Sequence, residues 1–381
     1  IFDTLLGGYF IYFFLFMASV GYAFYRFFKM LKKDNWRKRN VRWWHSLLFL
    51  IISALAIRGG FGLKPLSVVD AYAFGGSAGG QLTLNGVFSA WHASRNSHKM
   101  PYPKVHEKSF KKLTAKLGLP DQGNPFSREF KPLFGEEKKV NVVVILLESW
   151  SQFYVDSFGH NDFGVTPNLD QLSREGLKFE NFLATGSRSI EAIQAILTSF
   201  PSLKGLPTLG LGFELMHSAA LGAETADVGY ESVFMQSAKR ESFRLHSVAN
   251  AFGFTHYFGM EDYPLLGERG EAPAFGWDRE MFIHAVTAFD QVQKPFVSFM
   301  FTGTTHTPFR KFEEFKYADE SGPENEKGFL NTIHYADAAL GEFFVKAKTQ
   351  DWFEDTVFIL TADHTFGAFR NFDFVESFKV P

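Results

Sequence analysis

The sequence predicts an α/β fold, a mostly parallel sheet flanked by helices and preceded by transmembrane helices, on the strength of three observations. Short apolar runs alternate with helical segments from Val140 to the end of the chain. Those runs lead into Glu148, His306 and the pair Asp363-His364, and doubly wound sheets gather their chemistry at the carboxyl ends of strands. An almost uninterrupted apolar stretch occupies residues 4–28.

That first stretch, with YFIYFFLFMASVGYAFYRFF as its body, is long enough to cross a bilayer. No small-residue cleavage site follows it, which argues against a signal peptide. A second run, about Val41 to Ile57, is shorter; a helix buried in a soluble core is the alternative to a span. Between the two lie Lys29, Lys32, Lys33, Arg37, Lys38, Arg39 and Arg42 against a single acid, Asp34. A loop so basic is expected to stay cytoplasmic, with Trp36, Trp43 and Trp44 at the headgroups and all later residues outside.

Residues 59–139 read as a connector, Gly-rich at GGSAGG and helical around Gln81–Ala93, lying along the membrane surface or packing on the domain that follows. The chain opens on Ile1 and closes on Val380-Pro381 in the middle of an apolar approach, so both ends are expected to be truncated. The expected organisation is 1–58 transmembrane, 59–139 connector and 140–381 extracytoplasmic catalytic domain.

From Val140 the texture changes. VNVVVILLE is apolar throughout and then ends in a polar residue, as a strand buried on both faces does. YESVFMQ, KPFVSFMFTG and DTVFILTAD are further strand candidates. NLDQLSREGLKF and the stretches near 190–199, 278–288 and 331–349 carry helical spacing. The net charge of −2 gives no electrostatic footprint for nucleic acid, and the absence of cysteine excludes thiol catalysis, Cys-ligated metal and disulfides.

Glu148, Asp363 and His364 form an oxygen and nitrogen set suited to Mn²⁺ or Zn²⁺. The plainer alternatives are a helix-capping acid and a structural Asp-His hydrogen bond. Ile190, Ile193, Ile196 and Leu197 share one helical face, which puts Ser189 at that helix's N-terminus, where backbone amides favour a phosphate. An N-cap alone is the plainer reading there. Arg188 could neutralise phosphoryl charge with its fork of donors.

The segment TPNLDQLSREGLKFENFLATGSRSIEAIQAILTSFPS, together with TADHT, resembles the sulfatase and phosphotransferase branch of the alkaline-phosphatase superfamily. Within it the chain is similar to the lipoteichoic acid synthase and phosphoglycerol transferase group, from about Asn141 to Pro381. The resemblance implies that Ser189 is the nucleophile, a position that is Thr in many relatives. Glu148, Ser189, Asp363 and His364 then fall at metal positions, Mn²⁺ first with Zn²⁺ or Mg²⁺ as alternatives. His306 matches a histidine placed over the phosphoryl group. Arg244, Trp277 and Asp278 fall where relatives place substrate-pocket residues. The chain departs from the group by carrying Gln236, Lys239, Arg240 and Arg244 where relatives often show a His and a Trp-x-Arg.

The implied activity is a metal-dependent phosphotransferase of the bacterial cytoplasmic membrane. It would take a phosphoglycerol-type head group from a membrane phospholipid donor to an envelope glycan or glycolipid acceptor. A phosphoethanolamine transferase or a phosphodiester hydrolase is the alternative, although many of the former carry disulfides. A formylglycine sulfatase would need Cys or Ser followed by Pro-x-Arg, and paired aspartates ending the first strand. The loop here reads SRSIEA and the strand ends in one Glu148. A catalytically idle envelope protein would have no physical need for a complete metal set.

Overall fold

The structure, a computed structural model, describes residues 18–19, 21–26, 28–29, 43–58, 65–84, 86, 89–90, 94, 106–116, 138–203, 206–216, 218–264, 266, 275–311 and 317–381. Two compact units divide the chain, Ile1–Leu66 and Ser67–Pro381.

In the first unit, helix α1 (Trp43–Arg58) forms where the second apolar run stands. Leu47, Leu48, Phe49, Leu50, Ile51 and Ile52 are all exposed, so the helix is apolar on every side. Such a helix belongs in a core or a bilayer rather than in water. Its 16 residues rise about 24 Å, against a hydrocarbon core of about 30 Å. Among the described residues no helix is long and apolar enough to cross a membrane. Most of the first run and of the basic loop lies outside the described residues.

The second unit is built on five parallel strands in the order β3-β2-β4-β1-β5. They are β1 (Asn141–Leu147), β2 (Glu231–Gln236), β3 (His256–Phe258), β4 (Phe296–Phe301) and β5 (Thr356–Ala362). β4 is buried along its whole length and β1 nearly so, which is why both read as unbroken apolar runs. β5 lies at the sheet edge and alternates instead, with Val357 and Ile359 exposed.

Helices cover both faces. On one, Val143, Ile145 and Leu147 of β1 pack with Met281, Phe282 and Phe289 of α8 (Asp278–Gln291) and with Ile333, Leu340 and Phe343 of α9 (Glu326–Ala347). On the other, Val144 and Leu146 pack with α5 (Ser189–Thr198) and α7 (Leu245–Ala251). The alternation of β1 side chains between two helical layers follows from the period of two along a strand. α4 (Pro167–Glu175) begins on proline, whose fixed φ suits a first helical turn, and α6 (Leu221–Asp227) leads into β2.

Among the described residues the connector yields α2 (Gly76–Thr83) and α3 (Glu107–Lys116), and residues 86, 89–90 and 94 are helical as well. α2 starts five residues before the predicted helix and takes in the Gly-rich stretch expected to turn. The 3₁₀ segment Val68–Ala73 precedes it, with Val68, Val69 and Tyr72 buried.

Candidate active site

Register sets the site. β1 and β5 pair so that Leu147 lies opposite Ala362, and the next residue on each strand is an acid, Glu148 and Asp363. Asp363 N donates to Leu147 O at 3.2 Å, continuing the ladder one residue past the strands. The chain leaves β1 through Ser149, which holds a left-handed φ of 63°. A non-glycine residue there is uncommon and needs local support. Ser149 N donates to Asp363 Oδ1 and Ser149 Oγ to Glu148 Oε1, each at 2.7 Å.

Glu148, Asp363 and His364 each offer one ligand atom, and these atoms lie within 4.8 Å of one another. His364 Nε2 stands 3.7 Å from Glu148 Oε1 and 3.5 Å from Asp363 Oδ2. Both carboxylates are almost wholly buried, at 1% and 0% exposure. Burial first, and then the Asp363 charge, push the Glu148 carboxyl well above the ordinary carboxylate range. Asp363 Oδ1 accepts from the Ser149 and His364 amides, whereas buried Oδ2 has no hydrogen-bond partner. An orphaned carboxylate oxygen beside a second buried acid is costly without a cation. The donor set and the unmatched oxygen therefore fit a divalent ion.

Ser189 is the first residue of α5, capped by the extended backbone of Arg188. Its hydroxyl donates to Glu148 Oε2 at 3.1 Å, which brings the predicted nucleophile to the acidic cluster. The loop before it is braced by Glu191, whose carboxylate accepts from Ser187 N at 2.9 Å. A Cβ at Gly186 would come within 2.2 Å of that carboxylate, so a side chain there would have to displace Glu191. Arg188 is exposed and forms no ion pair among the described residues.

The β4 end supplies the third side. Glu148 N donates to Thr302 Oγ1 at 2.8 Å, and Thr305 Oγ donates to the Glu148 carbonyl. His306 follows, with Nδ1 2.7 Å from Thr307 O, an arrangement that assigns the proton to Nδ1 and leaves Nε2 for exchange. Its ring stacks on Phe275 at 3.4 Å between centroids. Burial pulls the imidazole below its ordinary value, while Asp363 opposes the shift. Sequence reasoning found His306 but missed Phe275, Ser149, Thr302 and Thr305, residues without a signature of their own.

The three predicted pocket residues stand differently. Asp278 is fully buried; its Oδ1 accepts from Ser237 Oγ (2.6 Å), Gly303 N (2.7 Å) and Thr304 N (3.2 Å). It ties the ends of β2 and β4 to α8, so in this arrangement it holds the loop carrying His306 rather than reaching solvent. Trp277 caps α8 and packs on Tyr335 at 5.7 Å. Arg244 Nε donates to Asp70 Oδ1 at 2.6 Å, so its guanidinium is engaged by the connector. At the departing positions, Gln236 Nε2 donates to Lys239 O at 3.0 Å and Arg240 pairs with Asp262 at 2.5 Å. Asp278→Ala is expected to destabilise by about 2–4 kcal/mol, because two buried amides lose their acceptor. Urea denaturation should show a lower midpoint at unchanged slope; a loss under about 0.5 kcal/mol would mean the loop closes without it.

Comparison with known proteins bears on the fold and the family. "Lipoteichoic acid synthase-like YvgJ" of Bacillus subtilis is 24% identical over 246 residues, covering 63% of this chain and 39% of the relative. Phosphoglycerol transferase I of Salmonella typhi is 25% identical over 240 residues, covering 59% and 31%. The chain thus spans well under half the length of these curated relatives. A crystal structure of a protein in the alkaline phosphatase superfamily from Vibrio parahaemolyticus superposes with a TM-score of 0.59 at 27% identity, covering 74% of this chain and 69% of that one. The sulfatase family pattern matches residues 140–375. That match takes in every strand of the sheet and more than half of the chain, and the protein belongs to the sulfatase family.

Proposed function

We propose that the chain is the catalytic part of a membrane-anchored phosphotransferase that moves a phosphoglycerol-type head group from phosphatidylglycerol to an envelope glycan or lipid acceptor. The observation that carries this reading is the Ser189 hydroxyl, 3.1 Å from Glu148 at a helix N-terminus, beside a cluster able to hold a cation. The names of the relatives, lipoteichoic acid synthase and phosphoglycerol transferase, support the choice of head group. The family name does not decide the activity, since the SRSIEA loop lacks the Pro-x-Arg that sulfate-ester chemistry needs.

A divalent cation held by Glu148, Asp363 and His364, Mn²⁺ in this reading with Zn²⁺ or Mg²⁺ as alternatives, would lower the hydroxyl pKa and offset phosphoryl charge. Ser189 Oγ attacks phosphorus, and its proton leaves along the hydrogen bond to Glu148. The bond from phosphorus to the diacylglycerol oxygen breaks, and that oxygen takes a proton from protonated His306. In the second half the acceptor hydroxyl gives its proton to His306 and bonds to phosphorus. The phosphorus–Oγ bond then breaks, and Ser189 recovers its proton from Glu148. Arg188 and the amides at the start of α5 face the phosphoryl oxygens in this scheme. The purified full chain with phosphatidylglycerol vesicles and Mn²⁺ should release diacylglycerol; release of glycerol phosphate to water at the same rate with acceptor present would indicate a hydrolase.

The anchor completes the reading, with two spans at the N-terminus, the loop Lys29–Arg42 cytoplasmic and Ser189 extracytoplasmic. Because the chain has no cysteine, a single Lys111→Cys change on the exposed face of α3 gives a clean label site. An impermeant maleimide should label it in intact spheroplasts. Labelling only after lysis would reverse the topology.

A further inference from the structure

Residues 67–83 carry no chemistry in the sequence, yet they are built into the second unit beside the site. Val69 is fully buried and shares a core with Ile193 and Leu197 of α5 and with Leu245 and Val248 of α7. Ser67 Oγ donates to Gly210 O at 2.7 Å, and Asn250 Nδ2 donates to the carbonyls of Tyr72 and Ala73 at 3.2 Å each. Behind it, Gly80 abuts the Tyr72 ring so closely that a Cβ would come within 2.1 Å. The segment is held on both sides.

Asp70 is the one charged side chain in this stretch. Its Oδ2 accepts from Ser67 N and its Oδ1 from Arg244 Nε, each at 2.6 Å. Arg244 and the preceding Phe243 both hold left-handed backbone, with φ of 59° and 57°. Two bulky residues in succession do not adopt that conformation unaided, and the surroundings must impose it. The ion pair grips the second of them. Phe243 stacks on Phe275 at 5.1 Å, and Phe275 stacks on His306 at 3.4 Å.

We propose that Asp70 is a positioning residue of the active site. By holding Arg244 it fixes the Phe243-Arg244 turn, and through the stacked rings of Phe243 and Phe275 it sets where His306 stands. Arg244 is then a strut between the connector and the site, and residues 67–83 belong functionally to the catalytic domain.

Asp70→Asn keeps the side-chain shape and removes the charge. Because a small misplacement of a proton-transfer group costs turnover more than affinity, kcat for diacylglycerol release should fall about tenfold with KM within about twofold. Asp70→Glu should recover most of that rate, and Arg244→Ala should be slowed no further by adding Asp70→Asn. The activity arm rests on the transferase reading, so a second measurement stands apart from it. Amide hydrogen exchange across residues 240–246 should speed up about tenfold in Asp70→Asn, with the thermal midpoint little changed. If the wild type releases no diacylglycerol, the transferase reading fails and the exchange result alone decides the role of Asp70. Unchanged exchange, or a loss of kcat matched by an equal loss of folded protein, overturns the proposal.

Discussion

Ser189→Ala is expected to abolish diacylglycerol release, by about 10³-fold or more, while leaving the metal ligands and the fold intact. The hydroxyl makes one hydrogen bond, to Glu148 Oε2, and the residue is only half-buried at the start of α5. Removing it should therefore change stability little. Ser189→Thr restores a hydroxyl at the same position and should retain measurable turnover. If Ser189→Ala released diacylglycerol at near the wild-type rate, water rather than the serine would be the nucleophile, and the protein would be a phospholipid hydrolase.

The second large effect separates with the metal. Asp363→Asn preserves an oxygen for the Ser149 and His364 amides but removes the charge of the orphaned oxygen. Without metal, this relieves repulsion between two buried carboxylates, so the variant should be at least as stable as the wild type after chelation. With Mn²⁺ or Zn²⁺ added, the wild type should gain stability in proportion to the logarithm of free metal, and the variant should gain little. Thermal unfolding with and without chelator reads both arms, and elemental analysis of the dialysed protein should find metal in the wild type alone. A variant that keeps bound metal and the same thermal gain would place the ion elsewhere.

Much of the domain was legible because buried parallel strands announce themselves. β1, β2, β4 and β5 read directly from apolar runs, and the acids that follow β1 and β5 are the ones the structure brings together. β3 has only three residues, His256–Phe258, and no such run can be read from three positions. The Gly-rich start of α2 escaped for a different reason. A Gly-rich stretch has no helical propensity to read, and Gly80 is suited there only because Tyr72 covers it. The contacts of the predicted pocket residues were not legible. Asp278 and Arg244 are polar residues near the correct strand ends, and the sequence does not say which way a polar side chain points. Their partners are remote: Asp278 bonds to Ser237 and Gly303, and Arg244 to Asp70, 174 residues away. The Phe243–Phe275–His306 stack was equally hidden, since aromatics are common throughout the chain.

The central claim is a covalent step on one named oxygen, and it is tested most directly by trapping that step. The metal-loaded protein, mixed with phosphatidylglycerol without acceptor and quenched in acid, is digested and analysed by peptide mass spectrometry. A phosphoglycerol ester on Ser189, absent from Ser189→Ala and lost when acceptor is added before the quench, is the predicted result. Diacylglycerol release with Ser189 unmodified at every quench time, or with the adduct on another side chain, would contradict the account.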